Sequence, residues 1–331
     1  MRVKNSPFVI LFVLITVLSS CITEDRDDCS LSFSFNYSYN VLEANAYHKQ
    51  VDFIHLFLFD EEGVFIDERE LKAPFEVSSK FEWDMPSDGK YNIVAWGQKN
   101  APVDGGFVLP DLTVGMSRIS DFNAYLNRKT EISNQRLGSL LIGSLNFTSN
   151  KDNGSEHHII DFKKVTNTIR LLLVSVDDVE LEADNYEIQL IDPIGNGKLD
   201  YGFNLLPDKP IVYKPYFQKN VIPKPDQVRE EDVDNVNSAI VSELSTSKLV
   251  YTHHPRLVVK DKTTGKDVIN TDVMKFVELL EINDYTKWKI QEYLDRQDTY
   301  EITLYIKEGT KWVDVVLIIN GWVINNISIE A

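Results

Sequence analysis

The chain has 331 residues, 43% of them apolar and 11% aromatic, enough to bury sizeable cores and long enough for two domains of roughly 100–200 residues each. Its 51 acidic residues outnumber 34 basic ones, for a formal charge of −17. That balance argues against nucleic acid as a partner, because phosphate binding needs a basic stripe and Lys163-Lys164 is no more than a short cluster. Two cysteines are too few for a disulfide framework.

At the start of the chain, Arg2 and Lys4 precede an apolar run from Phe8 to Leu18 that closes in Leu18-Ser19-Ser20-Cys21. A charged start, a short apolar core, small residues and one cysteine form the pattern of export followed by thiol acylation. The run is too short for a stable span, which takes about 20 apolar residues. Residues 1–20 are therefore expected to be a signal peptide, and Cys21 the lipidated first residue of a lipoprotein. Its sulfur would carry a diacylglycerol thioether and its freed amine a further chain such as palmitate, each buried methylene contributing ~0.8 kcal/mol. Loss of residues 1–20 also removes Arg2 and Lys4, so the mature body is more acidic still and is held off an anionic membrane surface. With Cys21 acylated, Cys29 has no partner in its own chain.

Residues 21–30 carry Glu24, Asp25, Asp27 and Asp28, whose mutual repulsion predicts an extended acidic tether. From Leu31 the pattern is period two: Leu31, Phe33, Phe35, Tyr37 and Tyr39 alternate with polar residues, the mark of a half-buried strand. Val51 to Phe59 is apolar on both faces and is followed by the turn Asp60-Glu61-Glu62-Gly63 and by Val64-Phe65-Ile66, a hairpin with a central strand. Lys90 to Gly97 predicts another strand, Ile119 to Leu126 a short helix entered at Ser117, and Leu140 to Phe147 the closing strand of the first unit. The polar run 149–155 reads as a linker and divides the chain into an N-terminal β-sandwich, 31–152, and a C-terminal β-sandwich, 153–331. In the second unit, strands are expected at 159–163, 168–176, 186–192, 211–216, 248–252 and 256–260. Val273, Phe276, Val277 and Leu280, then Trp288, Ile290, Tyr293 and Leu294, recur at helical spacing and predict one or two short helices. Three strands end the chain: 300–307, 312–320 and 322–329. The fold class is all-β with one or two short helices, as two tandem antiparallel β-sandwiches.

Catalytic and metal signatures are missing: there is no G-x-S-x-G, H-E-x-x-H, C-x-x-C or G-x-x-x-x-G-K-[ST]. His157-His158 and His253-His254 point to opposite faces if they lie on strands, so neither pair is expected to chelate one ion. The run Asp192 to Asp200 resembles a calcium loop, but Ile194 stands where a ligand oxygen belongs and Phe203 replaces the closing Glu. A Gly-rich turn is the expected role. No pair among the acidic residues stands out as the two carboxylates of a glycoside hydrolase. The Asn-x-Ser/Thr sequons at Asn36, Asn146, Asn153 and Asn326 are expected to be coincidental in a thiol-acylated lipoprotein.

Several segments in order resemble one family: Cys21 followed by E-D-R-D-D-C at 24–29, F-S-F-N-Y-S-Y-N at 33–40, H-L-F-L-F-D-E-E-G at 55–63 and Y-N-I-V-A-W-G at 91–97. N-T-I-R-L at 167–171, E-Y-L-D-R-Q-D-T-Y at 292–300 and I-N-G-W at 319–322 continue the series. Together they resemble the fimbrillin-associated anchor proteins, lipoproteins that hold minor fimbriae on Gram-negative outer membranes. The resemblance implies transthyretin-like sandwiches, no enzymatic activity, no cofactor and no metal. It further implies fimbrial shaft subunits as protein partners and a place at the base of the fimbrium, anchoring it and limiting its length. Of the family's functional residues only the acylated cysteine transfers, onto Cys21, which ties the protein to the outer membrane, cell-surface exposed. Strands 312–329 are apolar and terminal and are expected either to reach a neighbouring subunit by strand addition or to close the protein's own second sandwich. The alternative function is a surface glycan-binding β-sandwich lipoprotein using Trp96, Trp312 or Trp322 as stacking platforms.

Overall fold

The computed structural model describes residues 31–99, 106–150, 154–175, 180–222, 238–282, 286–306, 312–319 and 322–330. Strands dominate, in five sheets, with short helices at Tyr47–Gln50, Met274–Ile282 and Ile290–Arg296. In the first half, a three-stranded sheet (Glu156–Asp161, Leu31–Asn36, Lys80–Glu82) faces a five-stranded one. The latter is ordered Lys163–Lys164, Leu140–Ser149, Gly89–Gln98, Phe53–Phe59, Phe65–Lys72. In the second half, a six-stranded sheet runs Phe217–Val221, Ala239–Thr246, Asn167–Ser175, Thr299–Ile306, Trp312–Ile319, Trp322–Glu330. It is accompanied by a five-stranded sheet of Asp267–Asp272, Arg256–Asp261, Tyr186–Asp192, Ile211–Tyr213 and Ile132–Ser133.

The first five-stranded sheet has no wet face at its centre. Ile54, Leu56, Leu58, Ile93, Ala95 and Leu141 point to the three-stranded sheet and meet Phe33, Phe35 and Phe162 in one apolar cluster. Phe57, Phe59, Val94, Trp96, Leu140 and Ile142 point the other way, into a cluster that continues through Ile169, Leu171 and Leu173 to the helices around Phe276 and Leu294. Strict alternation along each strand sends successive residues to opposite sides. Here both sides are core, which is why 53–59 and 91–97 read as unbroken apolar runs.

Chain order and sheet membership do not coincide. The segment 149–155 lies between two strands of the first sandwich, since Glu156–Asp161 pairs with Leu31–Asn36 and Lys163–Lys164 pairs with Leu141 and Ile142. We propose that the passage to the second sandwich falls at Val165–Asn167. In the other direction, Asn123–Leu126 pairs with Lys198–Asp200 and Ile132–Ser133 with Ile211–Tyr213, so the two halves are stitched by hydrogen bonds. Three pairings run parallel rather than antiparallel, each between strands far apart in sequence, where a long connection can return the chain in the same direction.

Two expected elements differ. Ile119–Leu126 is a 3₁₀ turn, Ile119–Asp121, followed by the strand Asn123–Leu126, because Lys198–Asp200 supplies a ladder partner. The run 248–252 is not a strand: it leads into a 3₁₀ turn, Tyr251–His253, and Gln291 on the last helix bonds both the Tyr251 N–H and the Leu249 carbonyl.

Trp96 is fully buried, 6.3 Å from the rings of both Phe107 and Phe122. Trp96→Ala is expected to cost about 3–5 kcal/mol in denaturant unfolding, the usual range for emptying a large aromatic site. Amide exchange should rise at Ile93 and at Leu171 alike; a rise confined to one half would contradict a shared wall.

Candidate attachment surfaces

A strand-rich fold can meet a partner along its sheet edges. Most edges are blunted. The strand Phe65–Lys72 carries Asp67, Glu68, Arg69, Glu70 and Lys72. Two of these, both exposed, lie against Trp83: the indole Nε1 donates to Asp67 Oδ2 at 3.3 Å, and the Arg69 guanidinium lies 5.0 Å from the ring centroid. Charged side chains along an edge strand keep it from pairing with another chain. Lys80–Glu82, Lys163–Lys164 and Ile132–Ser133 are only two or three residues long, Asp267–Asp272 begins and ends in acids, and Phe217–Val221 carries Lys219.

The strand Trp322–Glu330 is different. It forms the outer edge of the six-stranded sheet, spans nine residues and has one charged residue, Glu330, at its end. Its inner neighbour Trp312–Ile319 is held to Thr299–Ile306 through Thr303↔Val316, Leu304↔Val315 and Tyr305↔Asp314. The terminal hairpin therefore belongs to the protein's own sheet and also presents a long, nearly uncharged edge.

The other sequence candidates separate. Cys21, with Cys29, lies outside the described residues. Trp96 is core, which removes it as a stacking platform, and Trp312 and Trp322 begin the two strands of the terminal hairpin. His157 and His158 do take opposite faces. His157 bridges the Ser32 and Ser34 hydroxyls at 3.0 Å each, whereas His158 packs by the rings of Phe33 and Phe147. His253 and His254 part as well, to Asp192 and Asp272, each at 2.9 Å. Among the described residues, no group of three His, Cys, Asp or Glu side chains is placed to hold a metal ion. A cavity of about 410 Å³ beside Phe35, Phe75 and Phe81 is lined by one carboxylate, Glu70, which is already paired with His55 and Lys72. It offers no facing pair of acids.

The run Asp192 to Asp200 is a structural latch. Asp192, 1% exposed, accepts the Ile194 and Gly195 N–H groups on Oδ1 at 3.0 and 2.8 Å. Asn196 donates to the Lys248 carbonyl at 2.8 Å and accepts from the Tyr213 hydroxyl at 2.6 Å, deep enough that burial pushes the Tyr213 phenol well above its usual range. The Gly197 N–H reaches Asp208, whose other oxygen holds Arg128 at 2.9 Å. Sequence spacing alone gave no sign of these partners, which come from segments 11 to 80 residues away.

The sequence profile of the fimbrillin-A associated anchor proteins Mfa1 and Mfa2 matches residues 24–328. The chain belongs to that family. No curated protein matches it by sequence. Among solved structures it is similar to a proposed polysaccharide-binding protein from Bacteroides thetaiotaomicron, at 25% identity over 90% of this chain and 98% of that one, with a TM-score of 0.72. A proposed adhesin from Bacteroides ovatus gives 21% identity, 93% and 99% coverage and a TM-score of 0.73. The fimbrial anchor protein Mfa2 from Porphyromonas gingivalis gives 16%, 90% and 99%, and 0.64, a likeness of fold. The family is one of fimbrial anchors rather than enzymes. Among the described residues no helix is long and apolar enough to cross a membrane.

Gly195 sits at φ +95, and a Cβ there would collide with the Lys209 carbonyl oxygen. Gly195→Ala is expected to destabilise by more than about 1 kcal/mol, the upper end of what the same change gains at a compatible site. Thermal unfolding would read the loss, and an unchanged transition would show that the latch does not hold the loop.

Proposed function

We propose that the protein is an outer-membrane lipoprotein that anchors a fimbrium at its base, through acyl chains on Cys21 at one end and contact with shaft subunits at the other. The observation that carries this reading is the family match over nearly all of the chain beyond residue 23, joined to an export and acylation pattern that ends at Cys21. A subunit that keeps its acyl chains stays in the bilayer and ends the polymer there, which both fastens the shaft and limits its length. Ten residues separate Cys21 from Leu31, a tether with a reach of at most roughly 35 Å when extended. The body would thus stay close to the surface it is fastened to.

The contact with the shaft is assigned to strand addition at Trp322–Glu330. An extended segment of a shaft subunit would satisfy the open row of N–H and C=O groups on that edge, and main-chain bonds would supply the affinity. Burial of Trp96 removes one of the three stacking platforms of the glycan-binding alternative, since a fully buried indole has no face to offer a sugar.

Cys21→Ser is expected to release the protein from the outer-membrane fraction without changing its far-ultraviolet circular dichroism; retention in that fraction would remove the lipid tie. For the edge, Ile327→Pro and Ser328→Pro are informative as a pair, because successive residues of a strand direct their N–H groups to opposite sides. The substitution facing the open side should cut capture of shaft subunits about tenfold or more, a loss of ~1.4 kcal/mol, while leaving the fold intact. The other should loosen the hairpin itself. Undiminished capture by both variants would sink strand addition at this edge.

A further inference from the structure

A ladder of alternating cations and aromatic rings crosses the rim where the first sandwich meets the helices of the second. Lys287 Nζ lies 5.0 Å from the Trp288 ring centroid, and the Arg296 guanidinium is 5.1 Å from Trp288 and 4.1 Å from Tyr39. Lys163 Nζ is 5.2 Å from Tyr39 and 5.4 Å from Phe203, and Lys248 Nζ is 3.9 Å from Phe203. Three of the four cations have a carboxylate: Glu43 on Lys287 at 2.6 Å, Glu292 on Arg296 at 2.8 Å and Asp295 on Lys248 at 3.3 Å. Lys163 is exposed and holds no ion pair with a carboxylate among the described residues.

Two further observations single out the Lys163 end. Burial disfavours the charged form of Lys248 and nearby Lys163 adds to that, so its pKa is lowered although Asp295 pulls the other way. Phe203, between the two lysines, is a non-glycine residue in the left-handed region at φ +68. Strained backbone of this kind clusters at functional sites. The ladder is also more than the joint requires. The apolar cluster running from Phe57 and Trp96 to Leu171 and Phe276 already unites the two sandwiches.

We propose that Lys163, with Lys248 behind it and the Tyr39–Arg296 pair beside it, is a binding site for an acidic sugar, its carboxylate or phosphate on Lys163 and its ring against the aromatic flank. A chain of formal charge −17 repels such a ligand elsewhere, so an unneutralised cation beside the half-exposed Tyr39 ring is where it is drawn in. Aromatic faces set beside a few convergent polar groups are the usual make-up of a ligand site. The site does not depend on the attachment reading, since it uses neither Cys21 nor the terminal strand.

The test is calorimetric titration of the full detergent-solubilised protein with an oligogalacturonate, a hexose phosphate and a neutral maltooligosaccharide. Saturable binding of at least one acidic probe is expected, with the neutral probe silent, and the arm that responds tells carboxylate from phosphate. Lys163→Gln should weaken that binding about tenfold or more. Raising salt from about 0.05 to about 0.5 M should weaken it as well. The melting temperature of Lys163→Gln should match the wild type, and Lys287→Gln, at the far end of the ladder, should bind as the wild type does. Binding of neither acidic probe would overturn the proposal, as would equal affinity in Lys163→Gln. A Lys163→Gln protein that melts well below the wild type while the wild type binds no acidic probe would make the ladder a cross-brace.

Discussion

Burial of one sheet on both of its faces is the constraint on which the rest of the molecule depends. The strands Phe53–Phe59 and Gly89–Gln98 send Ile54, Leu56, Leu58 and Ile93 into one core and Phe57, Phe59, Val94 and Trp96 into the other. Each such side chain contributes roughly 1.5–3 kcal/mol of transfer free energy, so the wall is stabilised from both directions at once. The two sandwiches are consequently joined by a shared layer, which a flexible linker would not provide. The latch at Asp192–Asp200 adds direction to that joint. Its hydrogen bonds fix where Lys198–Asp200 meets Asn123–Leu126, a register that apolar packing alone does not specify.

Much of this was legible because period two is a strong signal when one face is wet. Leu31 to Asn36 alternates buried and half-buried side chains as its sequence predicts, and the bounds of Tyr186–Asp192 agree with expectation. The double-faced strands were legible as apolar runs, yet what covers their second face was not, since Phe57 meets Phe122 across 65 residues of sequence and no local pattern encodes that meeting. Ala239–Thr246 escaped notice for a chemical reason. Ser242, Ser245 and Thr246 are buried, and hydroxyls at core positions erase the hydrophobic alternation that marks a strand. The helix expected at 119–126, entered at Ser117, gave way to a strand whose ladder partner comes from residues 198–200, out of reach of any local pattern. Of the proposed attachment surfaces, the one at Cys21 rests on the sequence pattern alone. The open edge at Trp322–Glu330 needed the whole sheet order, because an edge is defined by what does not pair with it.

The two ends assigned to attachment enter the fold in different ways, and the difference decides where tension would act. Leu31–Asn36 is the middle strand of its sheet, hydrogen-bonded to Glu156–Asp161 on one side and to Lys80–Glu82 on the other. Under the proposed reading, a pull along the tether would shear two ladders together, with Phe33 and Phe35 still stacked against Phe81. Trp322–Glu330 has one neighbour, and the hairpin it belongs to is held to the rest of the sheet by the pairing of Thr303, Leu304 and Tyr305 with Asp314, Val315 and Val316. Between these ends stands the shared wall, packed on both faces. Under the proposed reading, force passing from shaft to bilayer would find the terminal hairpin the easiest joint to part. An edge strand that binds by main-chain addition has to remain accessible, whereas a strand that carries the membrane tether gains from being enclosed.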